Sequence, residues 1–342
     1  MKTMPDTFII NNTRIANILR KDCRYPFYAN RKTHLVGSRC EIDVGPDIRP
    51  RTQFVIDIPA DEKGVQELTY LDMIIADAIY TIYSHGKKKF TPNSILTEIT
   101  GRANVSLAPD RKKRYLQSIE KLCQTTIDIY CPGENEKDPE NLCSRYHGSF
   151  LSAKKIQNDT SDTGRNKVVN YQFKDDTATF VMPLYEYGVA KKQMITVSPT
   201  LLQLPFKEKK DEYIILAHYL LHELEIVRNP NNKVANRRFY PYDERKDKSY
   251  QVFGALGIDP SSLSQKNCLE KAQEIYQSMI SILKKWRDTY LDDLNKEDSC
   301  YPYLTFDDDE IFFLPSEEKS KNQSSFFIEI TRNHFGTSNL DE

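Results

Sequence analysis

The sequence predicts a mainly α protein with small β-wings, an α+β chain carrying two tandem winged helix-turn-helix domains. Three observations lead there. Three helical patterns, each with its own start and stop signals, follow one another between Thr69 and Gln124. Alternating, strand-like segments come directly after them, and the same order of patterns returns beyond Lys210. At 342 residues the chain exceeds one ordinary domain and suffices for two with separate cores. Its 39% hydrophobic and 28% charged residues place it among globular chains rather than disordered ones, and only 12 glycines suit a helical protein.

Residues 1–60 mix basic side chains with turn formers and read as an N-terminal arm, closed by a strand at Gln53 to Ile58. The first domain is expected at 61–206. Thr69 and Asp72 form a capping-box-like start, and Leu71, Ile74, Ile75, Ala78, Ile79 and Ile82 recur at helical spacing until Gly86. Thr91 caps a second helix with Pro92 at its first position, Ile95, Leu96 and Ile99 inward, and Gly101 as its stop. Pro109 and Asp110 open a third, with Leu116, Ile119, Leu122 and Cys123 on one face. "TTIDIYC" then alternates as a strand, and a polar insertion from Pro132 to Gly148 precedes "GSFLSAKKI" and "ATFVMPLYEYGVAKKQMITVSP", read as returning strands.

The second domain is expected at 207–315. "DEYIILAHYLLHELEIVR", "SYQVFGAL" and "KNCLEKAQEIYQSMISILKKWRD" give three helices, "YLTFDDDEIFFLP" a hairpin, and 316–342 a C-terminal tail that is ordered only where "FFIEI" docks. No residue-level repeat joins the halves, so the duplication rests on element order. Trp286 belongs to the apolar stripe of the last helix and is expected in the core.

The net charge of −1 excludes a uniformly basic protein that coats a polyanion, so any such site is local. Basic residues cluster early, around the first three helices. On the third helix Arg114, Gln117, Ser118 and Lys121 share the side away from the apolar residues, with Arg111 and Lys113 flanking. Arg and Lys suit phosphates and guanine edges, Gln suits adenine, and a helix fits the major groove. Lys87, Lys88 and Lys89 fall between the first two helices and Arg102 in the turn before the third, where they would meet the flanking backbone. A solvated helix face is the alternative. In the second half, Arg237, Arg238, Lys246 and Lys248 either grip a backbone or belong to an ordinary loop.

Other chemistry finds little support. His218 and His222 are four apart with Glu223 adjacent, yet no third ligand is suggested, and helix packing is the simpler reading. Asp307, Asp308, Asp309 and Glu310 read as a solvated turn rather than a divalent-metal site. The motifs GxxxxGK[ST], GxGxxG and GxSxG are absent, so no nucleotide cofactor, metal or catalytic centre is expected. Seven cysteines form no CxxC pair and read as reduced cytosolic thiols. No signal peptide or membrane span is predicted, and the expected location is cytoplasmic.

The stretches "LTYLDMIIADAIYTIY", "FTPNSILTEITG", "DRKKRYLQSIEKLCQTTIDIY" and "IYQSMISILKKWRD" together resemble the plasmid replication initiators built from two tandem winged-helix domains. The resemblance spans roughly Thr69 to Pro315. It implies binding of directly repeated double-stranded origin DNA through both domains, homodimerisation through the first, recruitment of host replication proteins, and no enzymatic activity. The basic third helix of the first half and the long insertion after it depart from the family pattern. A phage or mobile-element transcriptional regulator, or a non-catalytic protein-interaction module, would present the same helices.

Overall fold

Thr69 starts the helix that follows it by a reciprocal cap: its hydroxyl accepts from the Asp72 amide at 3.2 Å, and the Asp72 carboxylate accepts from the Thr69 amide at 2.7 Å. The computed structural model describes residues 7–21, 35–36, 39–43, 52–58, 60–61, 64–65, 67–103, 105–131, 145–158, 168–174, 180–205, 210–242, 252–292, 300–313 and 327–336. Two compact units emerge, Met1–Val197 and Ser198–Glu342. Both combine helices with small antiparallel sheets, an α+β architecture.

In the first unit β1 (Phe8–Asn11) and α1 (Arg14–Lys21) precede β2 (Leu35–Val36), β3 (Arg39–Asp43), β4 (Gln53–Asp57) and the small pair β5 (Ala60–Asp61) and β6 (Gly64–Val65). Then come α2 (Tyr70–Ser84), β7 (Lys89–Phe90), α3 (Pro92–Thr100) and α4 (Pro109–Gln124). Helix α2 is buried on nearly every side, as its all-round apolar sequence requires, because α3 and α4 as well as α1 and β1 pack on it. Gly101 ends α3 in the left-handed region at φ 60°, where a side chain would be strained.

The strands β8 (Thr126–Tyr130), β9 (Arg145–Ser149), β10 (Ala153–Asn158) and β11 (Val168–Phe173) serve two sheets. The β8–β9 pair joins a five-stranded sheet in the order β2–β3–β4–β8–β9, whereas β10 and β11 form a separate sheet in the order β10–β11–β7. Its register places Tyr171 opposite Phe90 and Phe173 opposite Ala153. The segment read as a returning strand around "MPLYEYGVA" is instead α5 (Pro183–Ala190). Proline fits its first turn, and Leu184 and Tyr187 are buried three residues apart. Among the described residues there, β12 (Met194–Val197) is the extended segment, and it pairs with β1.

That pairing corrects the reading of 1–60 as an arm. Phe8, Ile10, Ile15, Ala16 and Leu19 are core residues, and β3 and β4 lie inside the five-stranded sheet. A buried polar network fastens the segment. Arg20 binds the Asp77 carboxylate on α2 at 2.5 Å, the Asn11 amide donates to Asp77 at 3.1 Å, and the Asn11 side chain donates to the Leu184 carbonyl at 2.9 Å. Buried polar groups are tolerated only when paired in this way.

The second unit contains α6 (Asp211–Arg228), β13 (Asn236–Phe239), α7 (Val252–Leu256), α8 (Gln265–Arg287), β14 (Tyr290–Asp292), β15 (Cys300–Pro302), α9 (Asp308–Ile311), β16 (Phe312–Phe313) and β17 (Phe327–Thr331). Trp286 lies in its core, its indole N–H donating to the Leu201 carbonyl at 2.7 Å. The expected hairpin at "YLTFDDDEIFFLP" does not form among the described residues. Asp307 and Glu310 cap each other and start the short helix α9, β14 pairs with β15, and β16 pairs with β17. The segment Phe327–Thr331 of the expected tail does dock. As β17 it is the middle strand of the sheet β13–β17–β16, with Ile328 and Ile330 fully buried.

The two units therefore repeat one order: helix, strand, helix, helix, an extra strand pair, then two strands, the last of which pairs with the first. In the first unit these are α2, β7, α3, α4, β8–β9, β10 and β11. In the second they are α6, β13, α7, α8, β14–β15, β16 and β17, with α9 inserted.

Candidate nucleic-acid interface

Helix α4 is held by an apolar stripe of Tyr115, Ile119 and Leu122, with the small Ser118 between them. The face away from this stripe carries Lys113, Arg114, Gln117 and Gln124, all exposed, with Arg111, Lys112 and Lys121 half-buried at its margins. The helix is thus rotated slightly from the sequence expectation. Leu116 and Cys123 lie at the edge of the buried face, and Tyr115 takes the centre. The stripe 115, 119, 122 was available in the sequence, but the hydroxyl of Tyr115 hides its apolar ring from a count of aliphatic residues.

Two of the expected outward residues turn inward for a definite reason. The Ser118 hydroxyl donates to Asp72 Oδ1, and Lys121 Nζ binds Asp72 Oδ2 at 2.6 Å and the Glu67 carbonyl at 2.9 Å. With the Thr69 amide and hydroxyl, Asp72 collects four donors while its side chain is 4% exposed. A carboxylate removed from water needs such compensation, and here the compensation comes from α4. The residue that caps α2 therefore also sets the rotation of α4, leaving Arg114 and Gln117 on the solvent side.

Lys87, Lys88 and Lys89 are exposed between α2 and α3, and Lys87 binds Glu98 of α3 at 3.1 Å. Arg102 is half-buried in the turn leading to α4. Lys88, Lys89 and Lys113 make no ion pair among the described residues, so their charge is available to a polyanion.

The second unit treats its cations differently. Arg237 turns inward to the buried Glu223 at 2.7 Å, and Arg238 binds Glu329 at 2.9 Å while lying over the Phe327 ring. Lys246 and Lys248 lie outside the described residues. The face of α8 that meets solvent carries Lys266, Glu270, Gln273, Gln277 and Ser281, and Lys266 is offset by Glu270 at 3.8 Å. At the C-terminal turn of α8, Asp308 binds both Lys284 and Arg287, the latter at 2.8 Å. Hydrogen bonds from Lys284 and Arg287 hold the Asp308 carboxyl below its ordinary value. The acidic run thus clamps α9 onto α8, where cations also complement the helix dipole.

His218 and His222 are buried within the packing of α6, and His222 Nδ1 lies 3.7 Å from Glu223. Among the described residues no three His, Cys, Asp or Glu side chains are grouped to hold a metal ion. Burial pushes the Cys123 thiol up to about 11, which leaves it a weak nucleophile at neutral pH. Among the same residues no helix is long and apolar enough to cross a membrane.

No protein-family model and no curated protein matches the chain. Solved structures are similar to it at low levels. A crystal structure of RctB domains 2-3 aligns over 92% of this chain and 95% of that one, at 11% identity and a TM-score of 0.40. Selenomethionine derivatives of RctB domains 2 and 3 align over 89% of this chain and 94% of that one, at 11% identity and a TM-score of 0.37. At such values a superposition does not establish a common fold, and the functional reading rests on this chain's own residues.

Proposed function

We propose that this protein binds double-stranded DNA sequence-specifically through tandem winged-helix units and serves as a replication initiator of a plasmid or mobile element. The observation that carries the reading is the solvent face of α4, where Lys113, Arg114 and Gln117 stand exposed on the third helix of the first unit. The order α2, β7, α3, α4, with β11 pairing back to β7, supports a winged helix-turn-helix. In that arrangement Arg114 and Gln117 address base edges in the major groove, and Lys88, Arg111 and Lys113 hold phosphates beside them. Ser118 and Lys121 leave the reading set and become supports of the helix. The initiator role rests on the sequence resemblance, which also brings repeated origin sites, a homodimer and host replication proteins as partners.

The test is to select a preferred duplex from a random pool and to measure anisotropy on that duplex and on a scrambled one. Arg114→Ala is expected to cost about 1–3 kcal/mol on the selected site and much less on the scrambled duplex. Equal affinities for parent and a folded variant would remove α4 from the account. Recovery of directly repeated sites fits an initiator, whereas a single palindromic operator fits a transcriptional regulator. The reading includes no catalysis, and Mg²⁺-dependent nicking abolished by replacing one tyrosine or acidic residue would overturn that part.

A further inference from the structure

The sheet β10–β11–β7 has two faces with opposite chemistry. Phe90, Tyr171 and Phe173 point inward, Phe90 stacked on Tyr171 with centroids 5.4 Å apart. On the same side Lys155 reaches Glu120 of α4 at 2.8 Å, so this is the face that α4 covers. Alternation along a strand turns the neighbouring residues the other way. Gln172 is the register partner of both Lys89 and Lys154, and the three form one row across the outer face. Strand spacing sets the two lysines roughly 10 Å apart. Ile156 and Asn170 continue the face in the adjoining row.

Both lysines are exposed, and neither makes an ion pair among the described residues. Among these five residues there is no carboxylate and no aromatic ring. The corresponding row of the second unit is Arg238 opposite Glu329, joined at 2.9 Å, so its charge is cancelled. An uncompensated cationic row suits a polyanion. The lack of aromatic rings is unsuited to single strands, which bind by stacking bases on such rings, and leaves the phosphate backbone of a duplex as the fitting partner.

We infer that the outer face of this sheet, through Lys89 and Lys154, is a second phosphate-binding surface that holds the flank of a duplex whose centre is read by α4. The inference rests on the proposed reading of α4. Because the row faces away from α4, a short straight duplex seated on α4 does not reach it, and a longer one must bend toward it or supply a second segment.

The experiment compares a duplex of about 12 base pairs, little more than one turn, with one of about 30 base pairs carrying the same preferred site. Binding is measured by anisotropy over a salt series for the parent, K89E/K154E, K89Q/K154Q and K113E/R114E, with thermal melting as the folding control. The parent should show a salt slope steeper by about two on the long duplex, since each phosphate contact contributes about 0.9. K89E/K154E should weaken long-duplex binding at least tenfold, on the order of the loss expected for two phosphate contacts, and leave short-duplex binding unchanged. K89Q/K154Q should do the same to a lesser degree. Equal parental slopes on both lengths, or parent-like binding of the long duplex by both sheet variants, would overturn the second surface. Should K113E/R114E still abolish binding in that case, the α4 reading stands alone. Should none of the variants change binding, the α4 reading falls with it.

Discussion

Helices α4 and α8 occupy the same place in the same order of elements, yet they offer solvent different things. In the first unit Lys88, Lys89, Lys113 and Lys154 are exposed and have no ion-pair partner among the described residues. In the second unit Arg237, Arg238, Lys284 and Arg287 are each occupied by a carboxylate of their own unit, and α8 shows a face dominated by amides and hydroxyls. The shared topology therefore fixes where a helix stands but not what it does. A cation spent on holding a fold together is withdrawn from any partner, and by that measure the first unit is the one the proposed duplex binding draws on for charge.

The largest expected effect probes the support beneath α4. Asp72→Ala removes the acceptor of Lys121 and Ser118 and one half of the α2 cap, and breaking so buried a pair should cost about 3–5 kcal/mol of first-unit stability. Chemical denaturation would measure it. The comparison variant Arg238→Ala, at an exposed pair, should cost at most about 1 kcal/mol. Similar losses for the two would mean that the clamp under α4 has no special weight.

Next in size is a packing test in the second unit. A Cβ on Gly336 would lie 1.9 Å from the Pro302 carbonyl oxygen, so Gly336→Ala must displace the chain beside β15 and should cost about 1–3 kcal/mol. The melting temperature should fall while α4-dependent DNA binding below the transition is retained. Comparable in free energy, but read in binding alone, Lys113→Ala should lower the salt slope by about one unit while Lys266→Ala leaves it unchanged. A matching loss from Lys266 would erase the contrast between the two helices.

The gentlest effect is pH dependence confined to the first unit. Burial pushes the Asp77 carboxyl from 3.8 up to about 6, opposed by the Arg20 charge and the Asn11 amide. The folded state then holds a proton that the unfolded chain releases, so this group's contribution is fully present below 3.8 and is lost as pH rises through 6. Melting temperature should decline gradually across that window for the parent and stay flatter for Asp77→Asn. A parent curve that rises there would contradict the sign.

Most helices were legible because their signals are local. Thr69, Thr91, Gly86 and Gly101 announce the ends of α2 and α3, and the apolar spacing of α6 and α8 needs no knowledge of their surroundings. Sheet membership was not legible. The partner β11 of β7, β1 of β12 and β13 of β17 lie far away in sequence, and a two-residue strand such as Lys89–Phe90 has no periodicity to detect. The basic face of α4 was read correctly at Lys113, Arg114 and Gln117 as exposed positions. It was misread at Ser118 and Lys121, because a polar side chain turns inward only where a buried partner awaits it, and Asp72 is brought there by tertiary packing.

The pairing of first and last strands has a consequence during synthesis. In the second unit Arg238 and Glu329 are 91 residues apart, yet they face each other on adjacent strands. At ribosomal speeds of about 5–20 residues per second, β13 waits on the order of 5–20 s for its partner to emerge. The first unit waits likewise until Met194–Val197 can receive β1. Each unit is thus a nascent chain with an unzipped edge for much of its own translation, exposed to chaperones and to mispairing until its final strand closes it.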